Sequence, residues 1–171
     1  VGGATAQEDP VTVTLSVVDS NGDRVGNTDL TVTWNDGNGG PKNVTTAANG
    51  KAFVDVPDGS NIEVQITDDE YVRNMPLRRV NVRSQEIEVP VALSGQATIT
   101  VEGENGNPIA DAEVRVREGS TLETLTTGAS GQVTTDRLEQ RSADEAYELV
   151  VEKPGYFDLD SSLVVTGTGN K

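Results

Sequence analysis

The 171-residue chain contains neither cysteine nor histidine. The first absence excludes disulfides and thiolate nucleophiles, and the two together exclude the usual structural zinc sites and Ser-His-Asp hydrolysis. Aromatic residues are only 4% of the chain, so the aromatic strip on which many sugar binders stack their ligand is missing. No apolar run approaches the ~20 residues of a membrane-crossing helix. Helix signals are nearly absent, and lysine occurs only at Lys42, Lys51, Lys153 and Lys171.

Acid is abundant. Thirteen Lys and Arg stand against 28 Asp and Glu, for a net charge of −15. A field of that sign repels nucleic acid and anionic membrane surfaces. The acids are dispersed rather than gathered in a tail, which resembles proteins of salt-loving organisms; an ordinary acidic secreted domain is the other reading.

Val and Thr dominate, in short alternating runs broken by Gly, Asn, Asp and Pro, which reads as strands and turns. "VTVTLSVV" (Val11 to Val18) alternates Val11, Val13, Leu15 and Val17 against polar residues. "LTVTW" puts Leu30, Val32 and Trp34 on one face, and "AFVDV" and "IEVQI" do the same for Ala52, Val54, Val56 and Ile62, Val64, Ile66. "VNV" (Val80 to Val82) and "EIEVPVAL" complete the half, and Pro90 predicts an edge strand there.

The order then repeats. "ATITV" follows the first strand, "AEVRV" follows "DLTVT", "SGQV" follows "NGKA", "YELVV" follows "IEVQI" and "KPGYF" follows "DDEYV", at near-constant offsets of about 84 residues. The expected fold class is therefore all-β, with two tandem immunoglobulin-like or prealbumin-like β-sandwich domains at 11–93 and 97–171, preceded by an arm at 1–10. The polar stretch 139–146 is an insertion of the second repeat, long enough for one helical turn.

Asp19, Asn21 and Asp23 in "DSNGDRVGNTDL" open like a calcium loop, which needs several converging oxygens and usually a closing bidentate carboxylate. Position twelve is Leu30, and the second copy puts Gly103 for Asp19 and Asn107 for Asp23 while keeping Asn105-Gly106. The turn survives duplication and the ligand set does not, so a β-turn is favoured and calcium stays as the alternative. Asp68, Asp69 and Glu70, and Asp158 and Asp160, read as solvated acidic turns. Tyr71 and Tyr156 stand at equivalent positions and are expected to pack at a corner of each sandwich. Trp34, replaced by Glu118 in the second repeat, is either a core or interface residue or a sugar-stacking platform. "NVT" makes Asn43 an N-glycosylation sequon, and Ala4-Thr5-Ala6 looks like the end of a secretory signal.

"ITVEGENGNPIADAEVRVREGSTLETLTTGASGQVTT…YELVVEKPGYF" resembles the carboxypeptidase regulatory-like domain, and "NGDRVGNTDLTVTW" with "TTAANGKAFVDV" looks like a more divergent copy. The resemblance covers about residues 11 to 166. It implies a prealbumin-like sandwich of the kind used as a non-catalytic module in secreted and cell-surface proteins. "YELVVEKPGYF" also looks like the end of the B-type repeats of bacterial collagen adhesins. Those repeats can form Lys–Asn isopeptide bonds assisted by an acid that would be Glu152. The first strand here has no Lys, so an isopeptide is not expected.

These readings converge on a non-catalytic structural or interaction module of an extracellular or cell-surface protein, with other protein domains or identical subunits as partners and no cofactor. After Tyr156 the second copy has less sequence than the first has after Tyr71, so its last strand is expected to be missing. The exposed edge could accept the 1–10 arm of another copy and build a filament. The alternative is an accessory carbohydrate- or calcium-binding domain of a secreted enzyme.

Overall fold

The computed structural model describes residues 9–166 and divides the chain into two compact units, Val1–Ala92 and Leu93–Lys171. Most of the 1–10 arm, residues 1–8, lies outside the described residues. Among the described residues both units are built from strands, with one 3₁₀ turn at Ala143–Glu145 inside the insertion.

The first unit contains β1 (Pro10–Val18), β2 (Asp29–Trp34), β3 (Gly39–Thr45), β4 (Lys51–Pro57), β5 (Ile62–Ile66), β6 (Tyr71–Val72), β7 (Leu77–Arg79) and β8 (Gln85–Pro90). One sheet has the order β4-β1-β8 and the other β3-β2-β5-β7. Alternation does the sorting: Val13, Leu15 and Val17 of β1, Ala52, Val54 and Val56 of β4, and Leu30 and Val32 of β2 all enter one buried cluster. Pro10, assigned to the arm from sequence, is the first residue of β1, opposite Pro57.

β8 runs parallel to β1, with Leu15 opposite Ile87 and Val17 opposite Val89, and it forms the edge of its sheet. Pro90 ends this edge strand, where its missing N–H removes nothing from the ladder. The strand expected at Val80–Val82 lies one step earlier, at β7. Val80 is exposed and only Val82 is buried, held by bonds from its N–H to Ser60 O and from Gly59 N–H to its carbonyl.

The second unit contains β9 (Ala92–Gly95), β10 (Thr98–Thr100), β11 (Glu113–Glu118), β12 (Ser120–Thr126), β13 (Gln132–Thr134), β14 (Leu138–Glu139), β15 (Tyr147–Glu152) and β16 (Leu159–Leu163). β12-β11-β15-β16 reproduces β3-β2-β5-β7, and β10-β13 reproduces β1-β4. Leu159–Leu163 thus supplies a last strand for this sheet, which the sequence reading left out. The counterpart of β8 is what the described residues do not contain. Beside β14, Ser94 and Gly95 of β9 pair with Glu139 and Leu138.

Duplication also preserved polar joints. Thr46 Oγ1 accepts from Thr28 N (2.9 Å) and donates to Val25 O (2.9 Å). Thr127 Oγ1 accepts from Ala112 N (2.9 Å) and donates to Ile109 O (2.7 Å). Each hydroxyl is buried and satisfies two backbone groups that would otherwise have no partner.

Glu123 of β12 is a less comfortable group. Its Oε1 accepts from Asp136 N at 2.9 Å, while Oε2 is buried with no partner. Burial, ahead of the neighbouring Asp136 charge, pushes its carboxyl above the ordinary range. The folded domain therefore binds the proton more readily than the unfolded chain. Glu123 favours folding below its unfolded pKa and loses that contribution as pH rises through the raised folded value. Glu123→Gln, which keeps the carbonyl acceptor, should raise the thermal midpoint at pH 7 and leave it nearly unchanged at pH 4. An unchanged midpoint at both values would contradict this.

Candidate functional site

The Asp19 turn is a capped β-turn. Asp19 Oδ1 accepts from Asn21 N (2.9 Å) and Asp23 N (3.0 Å), Gly22 N donates to Asp19 O (3.0 Å), and Gly22 has φ +82°. The second copy closes the same way without the carboxylate, through Gly106 N to Gly103 O and Gly103 N to Asn107 O, both 2.9 Å. Among the described residues no group of three or more acidic side chains is placed to hold a metal ion. Asp19→Ala should cost about 1 kcal/mol through the lost turn bonds, with or without calcium. A calcium-dependent rise in the unfolding midpoint, present in wild type and lost in Asp19→Ala, would instead establish a metal site.

Other acids are engaged with backbone too. Asp68 Oδ1 accepts from Asp29 N (3.2 Å), and its Oδ2 from Glu70 N (2.9 Å) and Tyr71 N (3.1 Å). Tyr71 packs half-buried against the core, and that burial, then the charges of Glu70, Asp19 and Asp68, pushes its phenol up.

Tyr156 does not share this role. It is 56% exposed on the β15–β16 turn, because Lys153-Pro154-Gly155, with Gly155 at φ +91°, carries it outward. The tyrosine that anchors a corner of the second domain is Tyr147, buried, with its hydroxyl donating to Glu139 O at 2.5 Å and the Arg141 guanidinium 5.0 Å from its ring centre. A tyrosine opening a strand directly after an inserted loop was the available sequence signal. Glu152 pairs with Arg115 of β11, a cation on a different strand from the one that bears an isopeptide lysine.

Asn43 is exposed on β3, at the edge of its sheet, where its Oδ1 accepts from Thr31 Oγ1 at 2.7 Å. Trp34, at the end of β2, packs partly against the core and lies along Gly39, whose missing Cβ would fall within 2.3 Å of the indole. Its remaining surface lines a groove of about 460 Å³ with Asn61, Ile62, Arg78, Arg79 and Val80. The second domain has a groove of about 610 Å³ formed by its 102–109 loop and the β15–β16 turn. Phe157 beside that groove is fully exposed.

β10 provides the remaining feature. β1 is flanked by β4 and β8, whereas β10 has β13 on one side and no strand on the other among the described residues. The 84-residue offset carries the start of β8 to about residue 169, outside those residues. No helix of the described residues is long and apolar enough to cross a membrane.

No family model matches the chain, and no curated protein matches it. Similar solved structures include the Bacillus anthracis TIE protein, 18% identical with a TM-score of 0.43 over 95% of this chain and 33% of that one. A streptococcal ancillary pilin is 14% identical, TM-score 0.39, covering 98% and 64%. The shaft pilin SpaA of Lactobacillus rhamnosus GG is 9% identical, TM-score 0.42, covering 94% and 96%. The chain thus spans about a third of the first and under two thirds of the second. Likeness at this level carries no inference about activity, partners or assembly.

Proposed function

We propose that this chain is a non-catalytic structural module of an extracellular or cell-surface protein, and that it associates with identical subunits by strand donation. The carrying observation is the difference between β1, paired on both edges, and β10, paired on one among the described residues. An open edge presents unpaired backbone groups, and a strand from a second chain satisfies them. The register of β8 on β1 specifies the acceptor: a parallel strand whose alternate small or apolar residues face the core, as Ile87 and Val89 do. Residues 1–8, with Ala4 and Ala6 in alternation, are the donor in this reading. Donation from copy to copy is heterologous and generates an open filament.

The test compares the intact chain with one beginning at Asp9, since Asp9 O already accepts Asp58 N at 3.1 Å and Pro10 belongs to β1. Light scattering behind size-exclusion chromatography should show assemblies for the first and fewer for the second. A clean 18.0 kDa monomer for both would reject self-association.

A further inference from the structure

Two exposed features of this chain are an apolar turn in acidic surroundings and a tryptophan-lined groove edged by Arg79. The first is the β15–β16 turn, where Gly155 at φ +91° and the bond from Tyr156 N to Lys153 O (3.0 Å) present Tyr156 and Phe157 to solvent. Phe157 is fully exposed and Leu159 beside it is 58% exposed. In a chain with two Phe, three Tyr and one Trp, two aromatics on one exposed turn concentrate apolar surface at one place. The surroundings are acidic: residues 102–109 and 152–160 carry Glu102, Glu104, Glu152, Asp158 and Asp160 against Lys153 alone.

The second feature is the Trp34 groove. Arg78, Arg79 and Val80 form one wall, and Val80 is 76% exposed. The segment 73–83 holds four of the nine arginines and no acid, in a chain of net charge −15. Arg78 is engaged with Glu63 at 3.0 Å and Arg83 with Asp58 at 2.8 Å, while Arg79 donates to a backbone carbonyl, Arg78 O, at 2.9 Å. Asp36 and Glu63 also line the groove; Glu63 is paired with Arg78, which leaves Asp36 as the acid that opposes an acidic visitor there.

We propose that the Tyr156–Phe157 turn of one copy docks into the Trp34 groove of a second copy, with Phe157 against Trp34 and Val80 and with Asp158 and Asp160 facing Arg79. An aromatic anchor in a pocket, rimmed by opposite charges, is the arrangement that concentrates binding energy at an interface. Knob and groove are different surfaces, so the contact is heterologous and propagates head to tail. The inference rests on the self-association proposed above, but it uses neither the β10 edge nor residues 1–8.

Two variants isolate it in the full chain. Phe157→Ser removes the knob and keeps the groove; Arg79→Glu with Val80→Glu spoils the groove and keeps the knob. All three positions are exposed, so folding should be unaffected. The readout is scattering mass together with emission from Trp34, the single tryptophan, which lies in the proposed contact. Wild type should show assembly and a concentration-dependent emission shift, and each variant should need roughly tenfold or more higher concentration for either. Mixing the two variants restores one good contact per pair and should give a dimer that extends no further.

Variants that assemble like wild type, or a mixture that stays monomeric, would overturn the proposal. So would a wild-type emission unmoved by dilution, which would exclude a second copy as the occupant. The chain beginning at Asp9 separates the two readings. If it keeps both the emission shift and the scattering mass of the intact chain, docking stands and strand donation falls; if Phe157→Ser leaves assembly intact and the Asp9 chain abolishes it, the reverse holds.

Discussion

Gly131→Val is expected to destabilise the second domain by a large part of its stability and leave the first unchanged. Gly131 has φ +75°, and a Cβ there would lie 2.6 Å from Val101 O, 2.9 Å from Pro108 Cβ and 3.1 Å from Ile109 N. A residue with a side chain in the left-handed region costs about 1–2 kcal/mol before any clash. The clash cannot be relieved cheaply, because its main partners are backbone groups already in use. Val101 O accepts Ile109 N at 2.9 Å, and Val101 N donates to Gly131 O at 2.8 Å. Losing both bonds adds about 2 kcal/mol, so the total reaches about 3 kcal/mol or more. A domain of this size has only about 4–12 kcal/mol in all.

The single tryptophan lies in the first unit, so urea unfolding followed by Trp34 emission reports on that unit, while circular dichroism reports on both. The expected result is a lowered dichroism transition with an unmoved Trp34 midpoint. Gly50→Val, at φ +77° and 2.8 Å from Arg24 Cβ, should move the Trp34 midpoint instead. Equal shifts in both signals for Gly131→Val would mean that the two units unfold together.

How much of this was readable beforehand differs by element. Strands that bury one face declare themselves by alternation, as β1, β2, β4 and β5 do, since every second side chain must leave water. β3, "GGPKNVT", has no fully buried residue, and Val44 alone packs partly against the core, so no hydrophobic period marks it. Its signal is the turn before it, where Asn35, Asp36 and Gly37 all have positive φ, a hairpin composition between two extended segments. β12 escapes for the same reason and lies at the equivalent edge. β16, "LDSSL", buries only Leu163, which is why composition alone left the second sheet one strand short.

The Asp19 turn was legible because the duplication varied the side chains and kept the chain reversal. Neither groove was legible. Trp34 and Arg79 are 45 positions apart and meet only because β2, β5 and β7 are adjacent, Trp34 opposite Ile62 and Ile62 opposite Arg79. The equivalence of Tyr71 and Tyr156 misled, because equal positions in a repeat share backbone geometry but not burial. Asp68 draws the backbone in before Tyr71, whereas Lys153-Pro154-Gly155 turns it outward before Tyr156.

The repeat also supplies its own measurement of the open edge. Leu15 and Ile99 are equivalent, since Val17 N donates to Gly50 O as Val101 N donates to Gly131 O. Leu15 is fully buried on β1 with Ala52 on one side and Ile87 on the other. Ile99 is 7% exposed on β10, with Val133 on one side and no strand on the other among the described residues. Leu15→Ala leaves a cavity whose walls are pinned by two neighbouring strands, so about 3–4 kcal/mol is expected, read as a lowered Trp34 midpoint in urea. Ile99→Ala faces a site free to relax on one side, and about 2 kcal/mol is expected by dichroism in dilute solution. If a second copy supplies the missing strand, the cost of Ile99→Ala should rise toward that of Leu15→Ala as protein concentration increases, because the added strand pins the second wall. A cost independent of concentration would leave β10 without a donor from another copy, and a cost already equal to that of Leu15→Ala on dilution would place the second wall within the same chain.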